Sequence, residues 1–234
     1  MLIILSLFIL LAMGHQSHAQ RVVILEDLRE GPEDPDFGMN RRHYRHSFLR
    51  LHFVAGPPDA TGAEVIYGRS RSLEYGYRYK RKFSEVFSAG AELSFRRTAF
   101  HMEQYEGKTV PDTVLYDRQK LVFLNVGGGL YKRINVGQRG DYIGRFLDLG
   151  AYGGWNFHTR HVSHFENDLD ERVRVRRSGL DYPAPFEYGV MARVGLNNFV
   201  LKGTWRISDL FKSSAELSEL PRLSIGLEVG LHPF

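Results

Sequence analysis

Eight stretches of the chain alternate apolar and polar side chains, and a period of two commits them to β-strands with one apolar face. SLEYGYRYK (72–80) shows it most plainly, with Leu73, Tyr75, Tyr77 and Tyr79 against Glu74, Gly76, Arg78 and Lys80. The others cover 47–54, 87–96, 122–130, 147–158, 187–196, 199–208 and 223–231. Most are of the length, about 9–11 residues, at which a tilted strand crosses a bilayer. The fourth stretch is noisier, with Phe123 on its polar side. Eight is the smallest common number of strands that closes a barrel, and a closed sheet has no edge. The joins alternate in length: 80–86, 132–145 and 197–198 are shorter, whereas 55–71, 97–120, 159–186 and 209–222 are long. Short turns on one rim and long loops on the other are the asymmetry of outer-membrane barrels. The expected fold is all-β, an eight-stranded antiparallel transmembrane β-barrel with long extracellular loops and short periplasmic turns.

What precedes the strands is of another kind. Leu2 to Met13 is an apolar run too short for a comfortable transmembrane helix, and Ser17 and Ala19 form a small-residue cleavage site before Gln20. Residues 1–19 therefore read as a signal peptide. Residues 20–44 are polar, acidic first and basic later, with Pro32 and Pro35. They read as a periplasmic N-terminal segment, either a solvated lead-in or a docking piece, before a barrel over 45–234. With 25% charged residues and a mean hydropathy of −0.30, a polytopic helical membrane protein is excluded. Without Cys there is no disulfide, thiolate metal site or cysteine nucleophile. A net charge of +4 is too mild to mark a nucleic-acid binder.

An eight-stranded barrel can hold its apolar phase inside, as a lipocalin-like cup, or outside against lipid. The polar phase carries Glu74, Arg78, Lys80, Glu92, Arg96, Asp148, Glu187, Arg193, Lys202, Arg206 and Glu228 among many glycines. Mixed charge suits either a lumen of ion pairs or a wetted wall. Glycine in that phase suits only a crowded interior, and aromatics such as Tyr79, Phe95, Phe157 and Trp205 fall near strand ends, where interfacial girdles sit. The apolar phase is therefore expected to face lipid. A lumen so filled is not a pore.

The leader, the eight alternating strands, RISDLF (206–211) and the ending LPRLSIGLEVGLHPF together resemble small outer-membrane β-barrels. The likeness is to the Bacteroidota family that includes the PorT-type proteins, and more distantly to OmpA/OmpX-like barrels. It covers roughly residues 44–234. It implies an outer-membrane location and, through the PorT-type members, a link to protein secretion. Phe234, after Pro233, falls out of phase with Leu227, Val229 and Leu231.

Three histidines, His158, His161 and His164, precede Glu166, Asp168 and Asp170, a composition that can bind a divalent metal. Spacing of three aligns ligands on a helix, however, and this stretch joins two strands. It reads instead as a long extracellular hairpin, in which Arg172, Arg174, Arg176 and Arg177 balance those acids and meet a partner barrel or lipopolysaccharide phosphates. Ser70, Ser72, His101 and His158 are candidates for catalysis at the outer rim, but no local motif links them, and Gly127–Gly129 lacks a phosphate-loop pattern. No catalytic, cofactor or metal residue is assigned. The expected function is a non-enzymatic accessory or scaffold subunit of an envelope assembly, in secretion or barrel insertion. Its partners would be outer-membrane lipid, lipopolysaccharide and other outer-membrane or periplasmic proteins, and not nucleic acid. The rivals are an outer-membrane enzyme, a soluble ligand-carrying cup and a narrow channel.

Overall fold

The computed structural model describes residues 39–136, 144–166, 171–196 and 199–231. The expected signal peptide over 1–19, most of the 20–44 segment, the expected turn at 197–198, Asp168, Asp170 and Phe234 lie outside these residues. The strands are β1 (His43–Ala55), β2 (Arg71–Lys82), β3 (Phe87–Met102), β4 (Arg118–Val136), β5 (Arg145–Glu166), β6 (Arg172–Ser178), β7 (Phe186–Leu196), β8 (Phe199–Arg206) and β9 (Leu223–Leu231). All pairings are antiparallel, and β1 pairs with both β2 and β9. The sheet thus closes as a ring of eight strands, β1-β2-β3-β4-β5-β7-β8-β9. Closure pairs the backbone donors and acceptors that an edge would leave open. Among the described residues no helix is long and apolar enough to cross a membrane.

β6 is a ninth strand that the alternation did not reveal. β5 outgrows the ring: its first half pairs with β7 and its second half with β6. The expected loop over 159–186 is therefore in large part a hairpin standing above the ring. β3 and β4 likewise run on to Met102 and back to Arg118, past the ends that period two gave them. The join over 132–145, one of the shorter set, shrinks further for the same reason, because β4 continues to Val136.

The polar phase is inside. Arg50 is 0% exposed and Glu228 1%, whereas Leu93 and Leu130 are 71% and 70% exposed on the outer wall. Room for inward side chains comes from glycines facing rings on the next strand. Phe48 lies opposite Gly76, and Phe146 opposite Gly195. A Cβ built on either glycine would overlap the ring that faces it. Ring and glycine fit as one side chain shared by two strands, which explains why glycine is so frequent in the charged phase.

Each end of the cylinder is stopped. At the long-loop end the inward phase turns apolar: Val54, Phe100, Met102, Leu121 and Phe123 meet Ala63, Val65, Val110, Leu210, Phe211 and Leu220 from the connections in one buried cluster. Phe123 sits on the polar side of β4 because that side faces this cap. At the short-turn end Met39 packs against Tyr44, Phe146 and Val200, and its carbonyl accepts a hydrogen bond from Lys80 Nζ at 3.0 Å. Gly195→Val should lower the unfolding free energy by about 1–3 kcal/mol, the usual range for overpacking. Combining it with Phe146→Ala should restore part of the loss in urea titrations followed by tryptophan fluorescence.

Candidate functional site

The lumen is built by inward residues of every strand of the ring near mid-height. Glu92 on β3 receives Arg78 at 2.9 Å, Arg193 at 2.6 Å and Lys202 at 3.1 Å, with Arg50 at 3.4 Å. Glu228 on β9 takes Arg78 at 2.6 Å and a second bond from Arg50. Arg133 grips Asp148 through Nε and Nη2 at 2.7 and 2.9 Å, and Arg193 reaches the same carboxylate at 3.1 Å. Arg50 also meets Glu74 at 2.7 Å, and Glu74 faces His52 Nε2 at 3.1 Å. Rings line the network: Arg133 lies 3.5 Å from the centre of Phe146, and Arg193 4.3 Å from that of Tyr131. Buried charges survive only when paired and hydrogen-bonded, and this lattice pairs them across the full width of the ring.

Space left over is slight. One cleft of about 10 Å³, room for about one water molecule, lies between Glu74, Glu92, Arg96, Asn125 and Lys202, and a second of about 40 Å³ lies above it beside Glu187 and Arg206. Arg96 and Glu187 are ion-paired at that level. Ion pairs, rather than open space, fill the middle of the ring.

The RISDLF segment that leaves β8 has a definite structural task. Arg206 donates to the carbonyls of Ser208 at 2.6 Å and Leu220 at 2.8 Å, and to Glu219 at 2.9 Å. Glu219 in turn accepts the backbone N–H groups of Leu210 and Phe211 at 3.0 and 3.1 Å. One arginine and one glutamate thereby fold residues 207–222 over the barrel mouth and press Leu210 and Phe211 into the cap. A second knot lies in the 103–117 connection, where the buried Lys108 Nζ donates to the Val114 carbonyl at 2.5 Å and to Gln119. Burial pushes its ammonium below the usual lysine range. Neither Glu219 nor Lys108 carries a sequence signal, since each acts on backbone groups that only the fold brings near.

The outer wall is apolar all round. Leu49 and Leu51 on β1, Tyr75 on β2, Phe95 on β3, Val126 on β4, Trp155 on β5, Val190 on β7, Leu201 on β8 and Leu227 on β9 are all exposed. On β2 this band lies between Arg71 and Arg81, both exposed. About ten residues separate them, and a rise of about 3.4 Å per residue with a tilt of about 40° turns that into about 25 Å. A bilayer's apolar band on such barrels has the same height.

The residues singled out as candidates for chemistry do not converge. A bulge at Phe157 shifts the β4–β5 register, so that Leu124 pairs with His158 and Asn125 with Asn156. Beyond it His158 and His164 are on the outer face, while His161 turns inward onto Gln119 at 2.9 Å. Among the described residues no group of three or more His, Asp or Glu is placed to hold a metal ion. Ser70 and His101 are neighbours, but the serine hydroxyl accepts the His101 backbone N–H at 2.9 Å. The His101 ring lies instead 3.3 Å from the Arg69 carbonyl, and Ser72 pairs with Thr98 at 2.9 Å.

No protein-family model matches the chain, and no curated protein does. Glu92→Leu should leave Arg50, Arg78, Arg193 and Lys202 short of a carboxylate and cost about 3–5 kcal/mol, the penalty of an uncompensated buried charge. The midpoint of urea unfolding reads this, and Glu85→Leu, an exposed carboxylate beside Lys82 at the rim, should cost under about 1 kcal/mol.

Proposed function

We propose that the chain is an integral outer-membrane β-barrel without enzymatic activity, an accessory or scaffold subunit of an envelope assembly such as secretion or barrel-insertion machinery. One observation carries the membrane part: a closed ring wears its apolar phase outward on every strand and its charges inward. In water such a surface is costly, since soluble monomers rarely expose contiguous apolar patches beyond a few hundred Å². In hydrocarbon the same surface is neutral, and the closed ring of eight strands presents no open edge to the lipid. A lipocalin-like cup would have the reverse arrangement. The resemblance to PorT-type barrels supports both the outer membrane and secretion, with the leader over 1–19 as the route of export.

The scaffold part follows from what the site offers. A cylinder stopped at both ends gives no passage for solute, so function falls to surfaces. The capped long-loop end is extracellular in this reading, and the 20–44 segment with the short turns is periplasmic. In envelope fractions the mature chain should resist extraction by alkaline carbonate and run as a heat-modifiable band. Release into the aqueous fraction would defeat the membrane reading. Isolation from gently solubilised envelopes should bring specific proteins with it, and a chain recovered alone would remove the accessory-subunit reading. Planar bilayers containing the purified barrel should show no ion conductance above background.

A further inference from the structure

Above the apolar band, the outer face of β3 to β6 collects cations. Strand register places His101, Lys120, Val162 and Arg176 side by side in one row, and Arg118, His164 and Arg174 in the next row outward. One row lies below them with Ala99, Val122 and Arg160, and the next holds Arg97, Leu124 and His158. Lys120 stands in the repulsive field of Arg97, Arg174 and Arg176 together. Among the described residues no carboxylate forms an ion pair with any of these four cations. Like charges held this close without a counter-charge are a standing cost.

Of the grooves on this face, one farther out beside Arg118 and His164 carries the carboxylates Asp117 and Glu166 with Arg172, and two others share Lys120 and Val162. The upper, of about 340 Å³, is lined by Arg69, His101, Arg118 and His164, with Asp117 its one carboxylate. The lower, of about 110 Å³, holds Arg97, Arg160 and Arg174 around Val122 and Leu124. Val122 and Val162 point outward yet are nearly buried, lying among the long basic side chains of the grooves. Directly beneath is an aromatic row: Phe95, Trp155 and Phe157 are exposed, and the Phe157 ring lies tilted against both of the others at about 6 Å between centres. From top to bottom the face therefore reads cationic groove, mixed groove, aromatic belt and aliphatic wall.

That order is the order of a lipid with an anionic head. We infer that this face seats the phosphorylated headgroup of a glycolipid whose acyl chains lie along the wall below. The inference rests on the membrane reading, since it needs the apolar band to be in hydrocarbon. A phosphate monoester brings a charge of about −1.5 to −2 and several acceptor oxygens, which matches a cluster of arginines better than a single pair would. Among the described residues the opposite rim gathers fewer cations on one face: Arg81 has His43 beside it and Arg45 one row away, and Lys132 is set apart from them by Ala89.

The test uses the detergent-purified chain and native mass spectrometry. The probes are a bisphosphorylated lipid A, the same lipid after phosphatase treatment, and inorganic phosphate. The wild-type chain should retain the phosphorylated lipid at least about tenfold over the dephosphorylated one, with the preference fading as salt rises. The triple variant R97Q/K120Q/R174Q should lose that preference, while R81Q/K132Q at the other rim keeps it. Equal retention of both lipids by the wild-type chain overturns the proposal, as does displacement of the lipid by inorganic phosphate at equal concentration. Heat-modifiable migration checks that the triple variant is folded, and the wild-type comparison stands without it. A chain that stays monodisperse without detergent would instead show that the membrane reading itself has failed.

Discussion

Glu92 sits where four cations from four strands converge, and the rest of the barrel depends on that convergence being satisfied. A ring of eight strands is too narrow to keep water around each charge, so an inward Arg needs a carboxylate within reach, from the next strand as for Arg133 or from across the lumen as for Arg193 and Glu92. Arg50 and Arg78 share Glu92 and Glu228 between β1, β2, β3 and β9, which ties the closing seam of the ring to its wall. The network is thus a register device as much as a stabilising one. A slip of one residue in any strand of the ring would exchange its charged and apolar phases and place a charge in the outer wall.

Much of this was legible in the sequence because the strand period is strict. Leu73 to Lys80 and Leu223 to Leu231 show their inner and outer faces residue by residue. The abundance of glycine among charges pointed to a crowded interior, and the rings at Phe48 and Phe146 supply the reason. Illegible parts fall into two kinds. Period two cannot tell where a strand stops if its inward phase changes character, so the upper parts of β3 and β4 read as loop where Phe100, Met102 and Leu121 take the place of inward polar residues. A bulge is silent too: nothing about Phe157 announces that it shifts the register, yet it decides that His161 points in and His158 out.

The basic face was half visible. Arg172, Arg174 and Arg176 could be read as a charged strip, and their balance by neighbouring acids was the natural reading of a loop. The fold sets Arg174 and Arg176 instead beside Lys120 and Arg97, which lie far away in sequence, so the strip faces more positive charge. The cap has the same origin. Arg206 and Glu219 are thirteen residues apart and unremarkable in composition, yet between them they bind three backbone segments into a lid.

β6 pairs with β5 on one side and, among the described residues, has no neighbouring strand on the other. A naked strand margin invites a second molecule to add on and, repeated, to polymerise. Here the sequence RVRVRRS sets an arginine at every other place along that margin. Two copies approaching margin to margin would bring guanidinium against guanidinium, and a crowded surface full of these cylinders would stay unfused along that line.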